Sequence, residues 1–153
     1  MAVLPVAVTS VDVAAPAIAG LAHNAELSGV PAHELACEDA FAFFARSAQQ
    51  RRAWDLVIVD PPSFAPSERA KPAALRAYAS LADAALAVVE PIGRFALASC
   101  SSHVTEDDLL AGLTTPVLRL RTAVGAATDH PVLPAFPEGR YLKFLFFDVG
   151  QQK

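Results

Sequence analysis

Two short stretches of this chain hold the side chains best suited to chemistry. The first is Asp60-Pro61-Pro62-Ser63-Phe64, which follows the apolar run Leu56-Val57-Ile58-Val59. Four consecutive β-prone apolar residues predict a strand buried on both faces, as in a parallel sheet. Pro61 and Pro62 have no N–H to give a ladder and Pro61 holds Asp60 extended, so the strand ends at Asp60. A carboxylate is thereby fixed where open α/β sheets place their ligand crevice, at the carboxyl end of a strand. Phe64 either offers an aromatic face beside that carboxylate or packs the loop. The second stretch is Ser99-Cys100-Ser101-Ser102-His103. A thiol among hydroxyls and an imidazole is either a covalent nucleophile, once ionised, or a small inert hydrophobe after a strand.

The elements that position these residues follow from periodicity and punctuation. Val6 to Val11 predicts a strand ended by Asp12, and Ala15 to Leu27 a helix opened by Pro16 and closed by Ser28-Gly29. An acid between strand and helix either accepts hydrogen bonds from ribose hydroxyls or is an exposed loop acid. His33 to Cys37 predicts a short strand, with Asp39 as N-cap of a helix from Ala40 to Ala48 whose Phe41, Phe43 and Phe44 point to core. A long helix is expected from Pro72 to Val89, with Leu75, Tyr78, Leu81, Leu86 and Val89 as a core stripe and Glu90-Pro91-Ile92-Gly93 as its stop. Arg94 to Ser99 is the strand that delivers Cys100. Thr105 and Asp108 form the signature of a capped helix running to Gly112, and Val117 to Val124 and Arg140 to Val149 predict the last two strands. Strands alternating with helices, then a closing strand pair, predict a three-layer α/β sandwich of Rossmann-like topology in one domain spanning residues 1–153.

Composition narrows the class further. With 54% hydrophobic and 18% charged residues the chain can bury a core, yet no apolar run approaches the roughly 20 residues of a membrane span. The N-terminus carries no basic region before its apolar residues, so a cytoplasmic protein is expected. Cys37 and Cys100 make neither a disulfide framework nor a C-x-x-C spacing, and no metal site is expected.

Asp60-Pro61-Pro62 and Phe64 together resemble the fourth motif of S-adenosylmethionine-dependent nucleic-acid methyltransferases. Joined by Ser99-Cys100-Ser101-Ser102-His103, by Asp129-His130-Pro131 and by the run from Pro134 to Phe144, they resemble the bacterial class I ribosomal-RNA cytosine-5 methyltransferases, from about Thr9 to Asp148. The resemblance implies S-adenosylmethionine as cofactor and ribosomal RNA as substrate. It assigns Cys100 as the nucleophile that adds to carbon 6 of cytosine and makes carbon 5 enamine-like. Asp60 would face the base and border the cofactor, and Pro61, Pro62 and Phe64 would line the base. Asp12 would hold the ribose, and Asp39 and Ala40 the adenine. His130 would make a structural hydrogen bond, Pro134 to Gly139 the rim of the cleft, and Arg69 and Lys71 contacts to substrate phosphate. Lys143 would face solvent or the site's edge. A base reaching such a pocket must be unpaired or flipped out. A net charge of −4 has the wrong sign for gripping RNA unaided, so another module would supply affinity.

In that family a glycine-rich strand and loop precede the part that Thr9-Ser10-Val11-Asp12-Val13 resembles. The seven glycines here contain no G-x-G. The expectation is therefore a partial catalytic domain, N-terminally truncated by its first strand and helix, with impaired cofactor binding and strand edges open to self-association. Two other readings stay open: a methyltransferase acting on an exocyclic amine, which has no use for Cys100, and a catalytically silent remnant or interaction module.

Overall fold

The structure, a computed structural model, describes residues 7–29, 33–128 and 131–150. Asp129 and His130, and Val6 at the expected start of the N-terminal strand, lie outside the described residues; Ala7 and Val8 precede the strand, which runs from Thr9 and takes in Asp12. The chain divides into two units, Met1–Arg46 and Ser47–Lys153, and the strands form two separate ladders.

The first unit is built as strand, helix, strand. β1 (Thr9–Asp12) and β2 (Glu34–Cys37) run parallel, in register from Thr9 opposite Glu34 to Asp12 opposite Cys37, and are joined through α1 (Ala15–Leu27). Pro16 sits in the first turn of α1, where a missing N–H costs nothing. At its other end the Ser28 N–H reaches Asn24 O and the Gly29 N–H reaches Glu26 O, with Gly29 at φ 61° in the left-handed region that terminates helices. α2 (Ala40–Gln49) begins in this unit; Phe43 and Phe44 are buried as expected, whereas Phe41, in the first turn, is 42% exposed.

The second unit holds a mixed four-stranded sheet in the order β3-β4-β6-β5. β3 (Trp54–Val59) is parallel to β4 (Val89–Ser99), while β6 (Lys143–Val149) is antiparallel to both β4 and β5 (Leu118–Val124). α3 (Lys71–Leu86) makes the crossover from β3 to β4, and α4 (Glu106–Gly112) follows β4. The core lies along β4 and β6, where Phe95, Leu97 and Leu145 are wholly buried and the Phe95 and Phe147 rings stack at 6.0 Å. Each such side chain contributes about 1.5–3 kcal/mol by leaving water. On α3, Tyr78, Leu81, Ala82, Ala85 and Leu86 are buried, so the expected stripe holds, with Leu75 half-buried.

Four expectations change. α3 stops at Leu86, and Val89, expected as its last core residue, opens β4 instead. Glu90-Pro91-Ile92-Gly93 lies within the strand as an irregularity: pairing runs Trp54 opposite Val89 and resumes at Leu56 opposite Arg94. Ile92 takes φ 67° there, and a Cβ on Gly93 would meet Glu90 O at 2.7 Å and Asp55 O at 3.0 Å, so backbone alone fits. β3 is buried on one face, through Val57 and Val59, while Leu56 and Ile58 are 44% and 57% exposed. Among the described residues β3 is an edge strand of its sheet, and a parallel strand is covered on both faces only where neighbours exist. β6 starts at Lys143 rather than Arg140, because Pro137–Gly139 is taken up by a 3-10 turn.

Candidate active site

The parallel pairing of β3 with β4 decides where the chemistry-bearing residues go. Val59 lies opposite Leu97, so both strands end at the same side of the sheet and release their loops together. Asp60 leaves β3 exposed, Pro61 is buried, Pro62 is exposed, and Phe64 is half-buried against Tyr78 with ring centroids 4.9 Å apart. Cys100 leaves β4 as a half-buried free thiol. The two loops predicted to carry chemistry are thus neighbours in space.

A buried cluster of hydroxyls fastens them to each other. Ser101 Oγ lies 2.9 Å from Ser63 Oγ and 3.0 Å from the Tyr78 hydroxyl, and it accepts from the Ala65 N–H at 3.4 Å. Tyr78 also meets Ser99 Oγ at 2.9 Å, and Ser99 Oγ accepts from the Ser101 N–H at 3.2 Å. Ser99, Ser101 and Tyr78 are almost wholly buried, so these bonds replace water the hydroxyls have lost. Cys100 sits between two of them in sequence, and its backbone is held from both sides. A polar ring tip on a buried helical stripe is the sequence signal for such a partner.

Around this centre are charged ties. His103 Nδ1 lies 3.0 Å from Glu68 Oε1. The capping box of α4 forms as expected: Asp108 Oδ2 accepts from the Thr105 N–H at 2.8 Å and its hydroxyl at 2.7 Å, and the Asp108 N–H reaches Thr105 Oγ1 at 3.1 Å. Lys71 Nζ meets the same carboxylate at 2.7 Å, so Lys71 serves as a clamp between α3 and α4. That bond raises the Lys71 pKa and, with Thr105, lowers that of Asp108 to about 2. Lys143 is half-buried, its Nζ donating to the backbone oxygens of Ser101 and Val104 at 2.6 Å each. Burial pulls its pKa below the ordinary lysine value, while negative charge at Cys100 and Asp108 opposes that fall.

The first unit repeats the arrangement of acids at strand ends. Asp12 is opposite Cys37 at the carboxyl ends of β1 and β2, which brings Asp12 and the Glu38-Asp39 segment side by side. Asp12 Oδ1 accepts from the Ala14 N–H at 2.7 Å, and Asp39 Oδ1 caps α2 by accepting from the Ala42 N–H at 3.0 Å. Ala40 begins α2 directly after Asp39.

This architecture recurs among solved proteins. A candidate methyltransferase complexed with SAH superposes with a TM-score of 0.80 at 21% identity, over 94% of this chain and 39% of that one. A SAM-dependent methyltransferase from Agrobacterium tumefaciens gives 0.68 at 18% identity, over 92% of this chain and 48% of that one. The fold is that of the S-adenosylmethionine-dependent methyltransferases. In sequence, this methyltransferase-fold chain is similar to a ribosomal RNA large subunit methyltransferase of Deinococcus radiodurans, 34% identical over 152 residues. It is also similar to ribosomal RNA large subunit methyltransferase I of Photobacterium profundum, 31% identical over 144 residues. The two alignments take in 93% and 89% of the chain but 36% of each relative, so the chain spans little more than a third of their length. No family model matches it.

Proposed function

We propose that this chain is part of the catalytic domain of a cytoplasmic S-adenosylmethionine-dependent methyltransferase that modifies carbon 5 of cytosine in ribosomal RNA. The observation that carries the reading is the side-by-side release of Asp60-Pro61-Pro62 and Ser99-Cys100-Ser101 from adjacent parallel strands, tied through Ser63 and Ser101. The similarity to ribosomal RNA methyltransferases supports it.

In this reading the Cys100 thiolate adds to carbon 6 of the base and carbon 5 becomes nucleophilic. Carbon 5 takes the methyl group from the sulfonium, which leaves as S-adenosylhomocysteine. Loss of the proton from carbon 5 then expels the thiolate and restores the ring. Asp60, exposed at the strand end, accepts hydrogen bonds from the base edge as charge develops. Pro61, Pro62 and Phe64 shape the loop beside the base, and Asp12, Asp39 and Ala40 serve the nucleoside part of the cofactor.

Fluorine at carbon 5 cannot leave as a proton does, so 5-fluorocytosine RNA arrests the reaction after methyl transfer. A protein of the relatives' full length carrying this chain, incubated with that RNA and cofactor, is expected to form a covalent adduct mapping to Cys100. An adduct that persists in Cys100→Ala rejects the assignment, and a methyl group found on the exocyclic amine replaces the reaction.

The exposed Leu56 and Ile58 on an edge strand also support self-association of the 153-residue chain. Light scattering is expected to show oligomers that Ile58→Lys disperses; a monomeric parent removes the idea.

A further inference from the structure

Half-buried Lys143 is explained neither as a solvent-facing lysine nor as a residue at the site's edge. It opens β6 directly opposite Ser99, the last residue of β4, so its side chain starts level with the point where the Cys100 loop leaves the sheet. An ammonium has three donors, and two are spent on Ser101 O and Val104 O, which bracket the turn after Cys100. Ser101 O already accepts from the Val104 N–H at 3.3 Å, so the lysine reinforces a turn that is already closed. Fixing a four-carbon side chain in this way costs rotamer entropy. A half-buried cation costs desolvation as well. A closed turn alone does not call for that outlay.

The charges around the turn point to what does. Asp108 is already engaged by Lys71 and by the Thr105 N–H and hydroxyl. His103 and Glu68 face each other. Lys143 brackets Cys100 instead: its backbone pairs with Ser99 and its Nζ lies on Ser101 O, which sets the cation beside the residue between them.

We propose that Lys143 is the positioning residue of Cys100: it clamps the turn from Ser101 to Val104 and keeps a positive charge beside the sulfur, so that the thiolate is favoured and aimed. The role rests on Cys100 being the nucleophile of the proposed methyl transfer. No bond forms at Lys143; the thiol proton passes to solvent and the ammonium stays intact. The group most like it in effect is a cation next to a reactive cysteine, which raises the thiolate fraction at neutral pH.

The test needs no enzymatic turnover. The 153-residue chain is alkylated with iodoacetamide, which is uncharged and so is not steered by the lysine, and the rates at Cys100 and Cys37 are resolved by peptide mass. Exposed Cys37 serves as the internal standard. Lys143→Gln removes the charge while keeping a donor for the carbonyls, Lys143→Met removes both, and Lys143→Arg keeps both. At neutral pH, Cys100 in Lys143→Gln and Lys143→Met is expected to react about three- to tenfold more slowly than in the parent. Lys143→Arg stays near the parent rate, and Cys37 is unchanged. At alkaline pH, where the thiol is ionised in every variant, the gap closes. A gap of the same size at both pH values marks a purely steric role and overturns the proposal, as does an unchanged Cys100 rate in Lys143→Gln. Should Lys143→Met fail to fold by circular dichroism, the comparison of Gln with Arg decides alone. The 5-fluorocytosine experiment stands apart: its failure removes the nucleophile assignment and leaves the alkylation result as a measure of the Lys143–Cys100 pair.

Discussion

Deleting one buried oxygen should loosen the loop that carries Cys100. In Tyr78→Phe the ring stays, and the void left is smaller than a water molecule, so the packing of α3 is preserved. What disappears are the contacts to Ser99 Oγ at 2.9 Å and Ser101 Oγ at 3.0 Å. Neither serine is orphaned: Ser99 Oγ keeps the Ser101 N–H, and Ser101 Oγ keeps Ser63 and the Ala65 N–H. The cost is therefore that of two neutral hydrogen bonds, about 1–2 kcal/mol, without the larger penalty of an unpaired buried group. Ser101→Ala should cost about 2 kcal/mol, because the buried Ala65 N–H also loses its acceptor. The bond between Tyr78 and Ser101 is lost in both variants, so the double variant should be less destabilised than the sum by about 1 kcal/mol. Urea unfolding followed by fluorescence reads this directly, since the single tryptophan, Trp54, lies in β3 of the same unit. A cost below about 0.5 kcal/mol for Tyr78→Phe, or additivity of the pair, would show that the hydroxyls are not coupled.

Two further outcomes are expected. Ile92 is a β-branched residue at φ 67° and 75% exposed, so Ile92→Gly relieves strain with little loss of burial and should stabilise by about 1 kcal/mol in the same urea titration; destabilisation would refute the strain. The Asp108 pKa is depressed from 3.8 to about 2 by Lys71 first and then by Thr105, so its stabilisation is present above pH 3.8 and fades as the pH falls toward about 2. Solvent screening at this partly exposed pair keeps the effect small, and Asp108→Asn should remove that part of the acid limb. The raised pKa of Lys71 acts at the other end: its share is present below pH 10.5 and is lost as the pH rises through the higher folded value. An acid limb identical in Asp108→Asn and parent would rule out the linkage.

Much of the fold was legible because its punctuation is local. Pro16 and Gly29 bound α1, and Thr105 with Asp108 announces α4; each signal acts within one helical turn and needs no tertiary partner. The end of α3 was not legible. Val89 continues the helical period and Glu90-Pro91-Ile92-Gly93 has the composition of a stop, but pairing of Val89 with Trp54 takes the segment into the sheet. Leu56 and Ile58 read as buried because composition cannot say whether a strand has a neighbour on both sides. Within the site, Asp60 and Cys100 were legible as strand-end residues, each from its own surroundings. Their fastening was not, because Ser63 and Ser101 are 38 residues apart and only the parallel register brings them together. Tyr78 read as packing and Lys143 as a solvent-facing or site-edge residue for the same reason: spacing gives a side chain's face, not the polar atoms waiting there.

The division of the strands into two ladders has a consequence for how the chain resists opening. β1 and β2 share four paired positions, and no described residue of α1 is buried, whereas β4 and β6 meet over six positions with wholly buried side chains. Protection against amide exchange should then be graded, with β1, β2 and α1 opening at a lower free energy than the four-stranded sheet. Under the proposed function, a ligand held by Asp12 and Asp39 would have to order the softer part on binding. If Asp12 and Asp39 hold a nucleoside as proposed, slowed exchange along β1 and β2 is the expected first trace of binding.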